Sequence, residues 1–149
     1  NLGNAGFGVY LAANKSNEEG IFMPIERINP PTLHSGNSGY YHVLKDGDTV
    51  YVSAQAGLDK DRNLADTPAG QIEQTFKNLQ YALTAGGSDM RHIRKMTVYL
   101  THAEDIPTYR EIRAKFIEEE FGATATLVLV AALPNPKIRI EIDLIAATA

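Results

Sequence analysis

Ile138-Arg139-Ile140-Glu141-Ile142-Asp143-Leu144-Ile145, close to the C-terminus, alternates aliphatic and charged residues. A strand sends successive side chains to opposite faces. This period of two therefore describes a strand with Ile138, Ile140 and Ile142 turned to a core and Arg139, Glu141 and Asp143 turned away from it. Reading back towards the N-terminus, Leu133-Pro134-Asn135-Pro136 is a turn, and Thr126-Leu127-Val128-Leu129-Val130 is an apolar strand. Glu104-Asp105-Ile106-Pro107 starts a helix on which Tyr109, Ile112, Phe116 and Ile117 share roughly one face. Ile93 to Leu100, with its β-branched and aromatic residues, is a strand. Thr67-Pro68 opens another helix, because Thr caps and Pro suits the first turn. Its apolar stripe is Ile72, Phe76, Leu79 and Leu83, and Gly86-Gly87 ends it. Asp59-Lys60-Asp61-Arg62-Asn63 is a polar turn. Two strands precede it, Tyr40 to Leu44 and Thr49-Val50-Tyr51-Val52-Ser53. Lys45-Asp46-Gly47-Asp48 joins them as a hairpin, with the Asp-Gly pair that tight turns favour. Asn29-Pro30-Pro31 is extended, since proline drives the residue before it out of the helical region. The order is ββ-α-β-α-ββ, which reads as an α+β two-layer sandwich with two helices on one face of a mixed sheet.

Composition narrows the function classes. The 149 residues, 44% hydrophobic and 21% charged, suit one domain with a core of its own. No cysteine is present, which excludes disulfides, thiolate zinc sites and a cysteine nucleophile. The net charge of -4 and pI near 5.5 argue against sequence-independent nucleic-acid binding, which draws on basic surfaces. No run approaches the ~18 apolar residues of a membrane span. His34, His42, His92 and His102 lack the spacing of a metal site and read as surface or structural residues. Gly86-Gly87-Ser88 follows a helix rather than a strand and is no phosphate cradle.

Residues 1–22 differ from the rest. They hold Gly3, Gly6 and Gly8, four asparagines and the polar run Asn14-Lys15-Ser16-Asn17-Glu18-Glu19-Gly20. They are expected to be an N-terminal extension or leader, with Met23 as the natural start and residues 23–149 as the domain. An arm packed on a neighbouring molecule is the other reading. No basic segment followed by an apolar run marks a secretion signal, so a cytoplasmic protein is expected.

Several strings together resemble the RidA/YjgF family, also called endoribonuclease L-PSP, from about Ile25 to the C-terminus. They are Gly47-Asp48-Thr49-Val50-Tyr51-Val52-Ser53-Ala54-Gln55, Thr75 to Leu79, Lys95-Met96-Thr97-Val98-Tyr99-Leu100-Thr101, and Ile140-Glu141-Ile142. The resemblance implies a chorismate-mutase-like fold and a homotrimer with ligand clefts between subunits. It implies hydrolysis of enamines and imines to ketoacids and ammonia, with no cofactor and no metal.

Such chemistry needs a cation for the substrate carboxylate, an aimed water and a proton donor. The family's arginine lies in a Pro-Ala-Arg-Ser-like segment. Counting back from Val130-Ala131-Ala132-Leu133-Pro134 puts Ala125 at that position, within Gly122-Ala123-Thr124-Ala125-Thr126. Losing one fixed charge-assisted contact costs about 2–3 kcal/mol or more of binding. Leu127 stands where many members carry a small residue. Glu141 matches the family's water-positioning glutamate; its other reading is an ordinary outward strand charge. Tyr40 matches a cleft tyrosine supplied by the neighbouring subunit, or is a core or interface aromatic. Ser53-Ala54-Gln55 matches a strand end whose backbone holds ligand, or is plain strand termination. Arg110 takes a helix position where active members carry Asn, and Arg113 lies in the apolar arc of that helix. Either is a candidate for a relocated anion contact, against the alternative of an ion pair with Glu111, Glu118 or another subunit.

Two functions stand side by side: a hydrolytic deaminase of imines, enamines or related carbonyl compounds with an altered site, and a non-enzymatic trimer binding a small ligand, a carboxylate among the candidates. Endoribonuclease activity ranks third, because the acidic chain has no basic-aromatic stripe. No nucleic-acid or membrane partner is expected.

Overall fold

The computed structural model describes residues 10–12, 24–35 and 39–149. Their strands are β1 (Tyr10–Ala12), β2 (Ile25–Ile28), β3 (Val43–Asp46), β4 (Thr49–Ala56), β5 (Ile93–Leu100), β6 (Thr124–Leu129) and β7 (Ile140–Ala147). The helices are α1 (Pro68–Ala85) and α2 (Ile106–Phe116). The strands form one seven-stranded mixed sheet, ordered β1-β2-β3-β4-β7-β5-β6. Only β5 and β6 pair in parallel, across the α2 crossover. The last strand of the chain lies between β4 and β5, antiparallel to both.

That central place explains the alternation of β7. Ile140, Ile142, Leu144 and Ala146 are buried, and the residues between them are only partly covered. The buried set joins one core with Ile72, Phe76, Leu79 and Leu83 of α1. Each such side chain contributes roughly 1.5–3 kcal/mol on burial. Phe76 stacks on Phe116 at 5.2 Å and on Tyr109 at 6.1 Å between ring centroids, tying α1 to α2. Thr67 caps α1 by accepting from the Gly70 N–H at 3.0 Å. Gly57 follows β4 where α1 comes closest: a Cβ there would lie 2.5 Å from Gln71 Cα.

Several boundaries differ from the sequence reading. The first hairpin strand covers Val43–Asp46, not Tyr40 to Leu44. The Asp46–Thr49 pair leaves Gly47-Asp48 as a two-residue loop, with Gly47 at φ 57°, and this sets the register. Upstream of Val43 the backbone is diverted by the buried side chain of His42, which bonds to the His34 carbonyl. Ile138 is buried but sits in the turn before β7, its N–H bonded to the Asn135 carbonyl. Ile117 caps α2 from outside the helix. β2 was not anticipated as a strand. Of residues 1–22, expected to be an extension, only Tyr10–Ala12 are described, and they pair with β2. Met23 lies outside the described residues. No helix among the described residues is long and apolar enough to cross a membrane.

Candidate functional site

The helices cover one face of the sheet. On the other face, cross-strand register aligns Glu141 of β7 with Tyr99 of β5 and Ala56 of β4. The three charges that alternate along the C-terminal segment have different fates. Arg139 is held by Asp105, with Nε and Nη2 donating to the carboxylate at 2.7 and 2.9 Å, and by Glu104 at 3.4 Å. Asp143 faces the Tyr99 hydroxyl, whose pKa it raises by accepting its hydrogen bond, with burial adding to the effect. Glu141 is partly buried and has no hydrogen-bond or ion-pair partner among the described residues. Burial alone raises its pKa above the usual glutamate value. A carboxyl with raised proton affinity and no assigned partner is suited to exchanging protons with a reacting water.

The segment Ser53-Ala54 falls at an irregularity where β4 slips register against β7. Ser53 donates its hydroxyl to the Tyr41 carbonyl at 2.6 Å and its N–H to the His42 carbonyl at 3.0 Å. Ala54 is exposed. Gln55 turns inward and is 1% exposed. Its Nε2 donates to the Ser53 carbonyl at 2.9 Å and to His42 Nδ1 at 3.1 Å. His42 Nε2 in turn donates to the His34 carbonyl at 2.9 Å. One ring nitrogen accepting and the other donating define a neutral imidazole, and burial lowers the His42 pKa to match. Gln55 and His42 thus form a buried polar support beneath the bulge. Tyr40 packs edge-on against the His42 ring and remains 41% exposed.

Tyr40 and Ser53 open into a cavity of about 540 Å³ on the helix-free face, whose lining also includes Arg27, Tyr51 and Asp143. The sequence reading did not single out those last three residues. The available signal was the alternation Ile25-Glu26-Arg27-Ile28, which places Arg27 on the face opposite Glu26. Register confirms this: Arg27 lies opposite Leu44, Leu44 opposite Tyr51, and Tyr51 opposite Ile145.

The remaining candidates lie elsewhere in the single chain. Ala125 pairs with Met96 and Leu127 with Val98, which turns both towards the helix side of the edge strand β6. Ala125 is exposed, and Leu127 packs against the core. Arg110 projects from α2, exposed and without an ion-pair partner among the described residues; Arg113 is half-buried and equally unpaired. The sheet separates α2 from Glu141. One chain therefore brings Tyr40, Ser53 and Ala54 together, with Glu141 farther along the same face. It leaves Arg110, Ala125 and Leu127 on the other side. Among the described residues, no three His, Asp or Glu side chains are placed to hold a metal ion.

Known proteins resemble this chain in sequence and fold. The endoribonuclease L-PSP family model matches residues 34–148. A mouse 2-iminobutanoate/2-iminopropanoate deaminase is 36% identical over 110 residues, covering 72% of this chain and 79% of its own. The crystal structure of RidA from the Antarctic bacterium Psychrobacter sp. superposes with a TM-score of 0.74 at 29% identity, over 78% of this chain and 94% of that one. E. coli TdcF, crystallised with bound serine, gives 0.77 at 25% identity, over 83% and 98%. The family model spans the hairpin, both helices and the strand that carries Glu141, and on that evidence this chain belongs to the endoribonuclease L-PSP (RidA/YjgF) family.

Proposed function

We propose that this chain is a cytoplasmic, RidA-like hydrolase acting on imines, enamines or related small carbonyl compounds, with an altered substrate-binding wall. The observation that carries this reading is Glu141: a partly buried carboxyl, its pKa raised by burial, with no structural partner among the described residues. Water adds to the imine carbon while Glu141 orients it and takes up a proton. Glu141 passes that proton to the nitrogen to give a carbinolamine; the hydroxyl proton then moves to the nitrogen as the C–N bond breaks and the carbonyl forms, and a ketone and ammonia leave. Relatives named 2-iminobutanoate/2-iminopropanoate deaminase support the substrate class.

Completion of the site by a homotrimer belongs to the same proposal. Tyr40 and Glu141 would face each other between subunits, with Ser53 and Ala54 shaping the wall beside Tyr40 and Gln55 supporting that wall from within. Val128 and Leu129 on the edge strand are exposed in one chain, 37% and 51% respectively, and a neighbouring copy would cover them. Sedimentation should give three times the monomer mass, and a monomer mass would overturn the shared cleft.

Ala125 favours a second reading, a trimer that binds a small ligand without turnover, because it leaves β6 with no cation at that position. The deciding assay generates 2-iminopropanoate and follows ketoacid release. Acceleration by the wild-type protein that falls about 100-fold in Glu141→Gln supports the hydrolase. No acceleration would remove this deaminase activity.

A further inference from the structure

The guanidinium of Arg27 stands out among the buried polar groups. Its Nη1 is inaccessible to solvent, and among the described residues it is the side-chain nitrogen or oxygen so buried that lacks a hydrogen-bond partner. Among the described residues, no ion pair holds Arg27 either. The neighbouring Glu26 is engaged with Lys45 instead, at 3.9 Å. A buried donor left unsatisfied costs about 1–3 kcal/mol, and more when charged, so folding alone does not account for arginine here. The group lines the 540 Å³ cavity beside Tyr40, Tyr51 and Ser53. Phenol rings there supply apolar walls with polar tips, and the guanidinium is a planar fork matched to a carboxylate.

We propose that Arg27 is the carboxylate-binding group of this cavity, gripping a small organic acid against the Tyr40 and Tyr51 rings. Its position has a geometric consequence. Five strand spacings, about 24 Å, separate β2 from β6, so Arg27 does not restore a cation at Ala125 within the same chain. It supplies charge from the wall that carries Tyr40 and Ser53. The assignment rests on the reading of this face as a ligand site, though it requires no turnover.

The test titrates the full chain with pyruvate and with its uncharged amide, pyruvamide, by calorimetry. Melting temperature and sedimentation mass are measured for every variant. Wild type should bind pyruvate and not pyruvamide. Arg27→Met should weaken pyruvate at least about tenfold, and Arg27→Lys, which keeps the charge without the fork, should fall between. Because Nη1 has no hydrogen-bond partner among the described residues, Arg27→Met should melt no lower than wild type and keep its mass. Undiminished pyruvate binding by Arg27→Met would overturn the assignment while leaving the deaminase reading intact. Loss of folding or of assembly in Arg27→Met would also overturn it, by making Arg27 a structural or interface residue. Wild type that accelerates 2-iminopropanoate hydrolysis but ignores pyruvate would overturn the assignment alone; wild type that does neither removes both.

Discussion

Two polar regions sit within a few residues of each other in the sheet and are built on opposite principles. Beneath the β4 bulge, His34, His42, Gln55 and Ser53 form a closed set of hydrogen bonds, each ring nitrogen of His42 matched to one partner. On the helix-free face, Glu141 and Arg27 are partly covered, oppositely charged and unmatched among the described residues. The first region stabilises the strand end. The second carries desolvation that no contact among the described residues offsets, which is the pattern of groups reserved for something outside the chain. Arg139 supports the distinction, since it shares the C-terminal alternation with Glu141 yet belongs to the matched class through Asp105.

The contrast can be broken at four points. Asp105→Ala should have the largest effect. Asp105 is 4% exposed and bonds both Nε and Nη2 of Arg139, so removing it strands a partly buried cation. We expect a loss of about 3 kcal/mol in chemical denaturation. Gln55→Leu should lose about 1–2 kcal/mol by the same measurement, because His42 Nδ1 is left without its donor.

His42 gives a smaller, pH-dependent effect. Its pKa in the fold lies below 6.5, so the unfolded chain binds the proton first as pH falls. Its contribution is present above pH 6.5 and is lost as pH drops through the lower folded value. The melting temperature should decline below pH 6.5, and His42→Gln should flatten that decline.

Glu141→Gln should have the smallest effect on stability, with the opposite sign. A raised folded pKa means that the fold favours the neutral acid, so the relative stability is full below pH 4.5 and is lost as pH rises through the folded value. At pH 7 the glutamine variant should melt about 1–2 °C above wild type, with the gap closing near pH 4. A glutamine variant that melts lower at pH 7 would place Glu141 in the matched class and remove the reason to treat it as a site residue.

Much of this architecture was readable in advance because it follows from local chemistry. Thr67, Pro68 and Gly86 delimit α1, and Ile93–Leu100 is β5 as read. The first hairpin strand was misplaced towards Tyr40 because tyrosines favour strands in general, whereas here His42 diverts the chain. The strand at Ile25–Ile28 went unread because four residues beside two prolines carry little periodicity. For the candidate site, the family resemblance pointed to Glu141, Tyr40 and Ser53, whereas alternation alone could not separate Glu141 from Arg139 and Asp143.

By itself, the sequence determined the order of elements and the face each strand buries. These follow from periodicity, capping and residue identity along the chain. Only the tertiary structure decided which charges are matched. Asp105 meets Arg139 across 34 positions, Gln55 meets His42 across 13, and Glu141 and Arg27 meet nothing among the described residues. Partnership between charges depends on three-dimensional proximity and desolvation, and neither is encoded in local spacing.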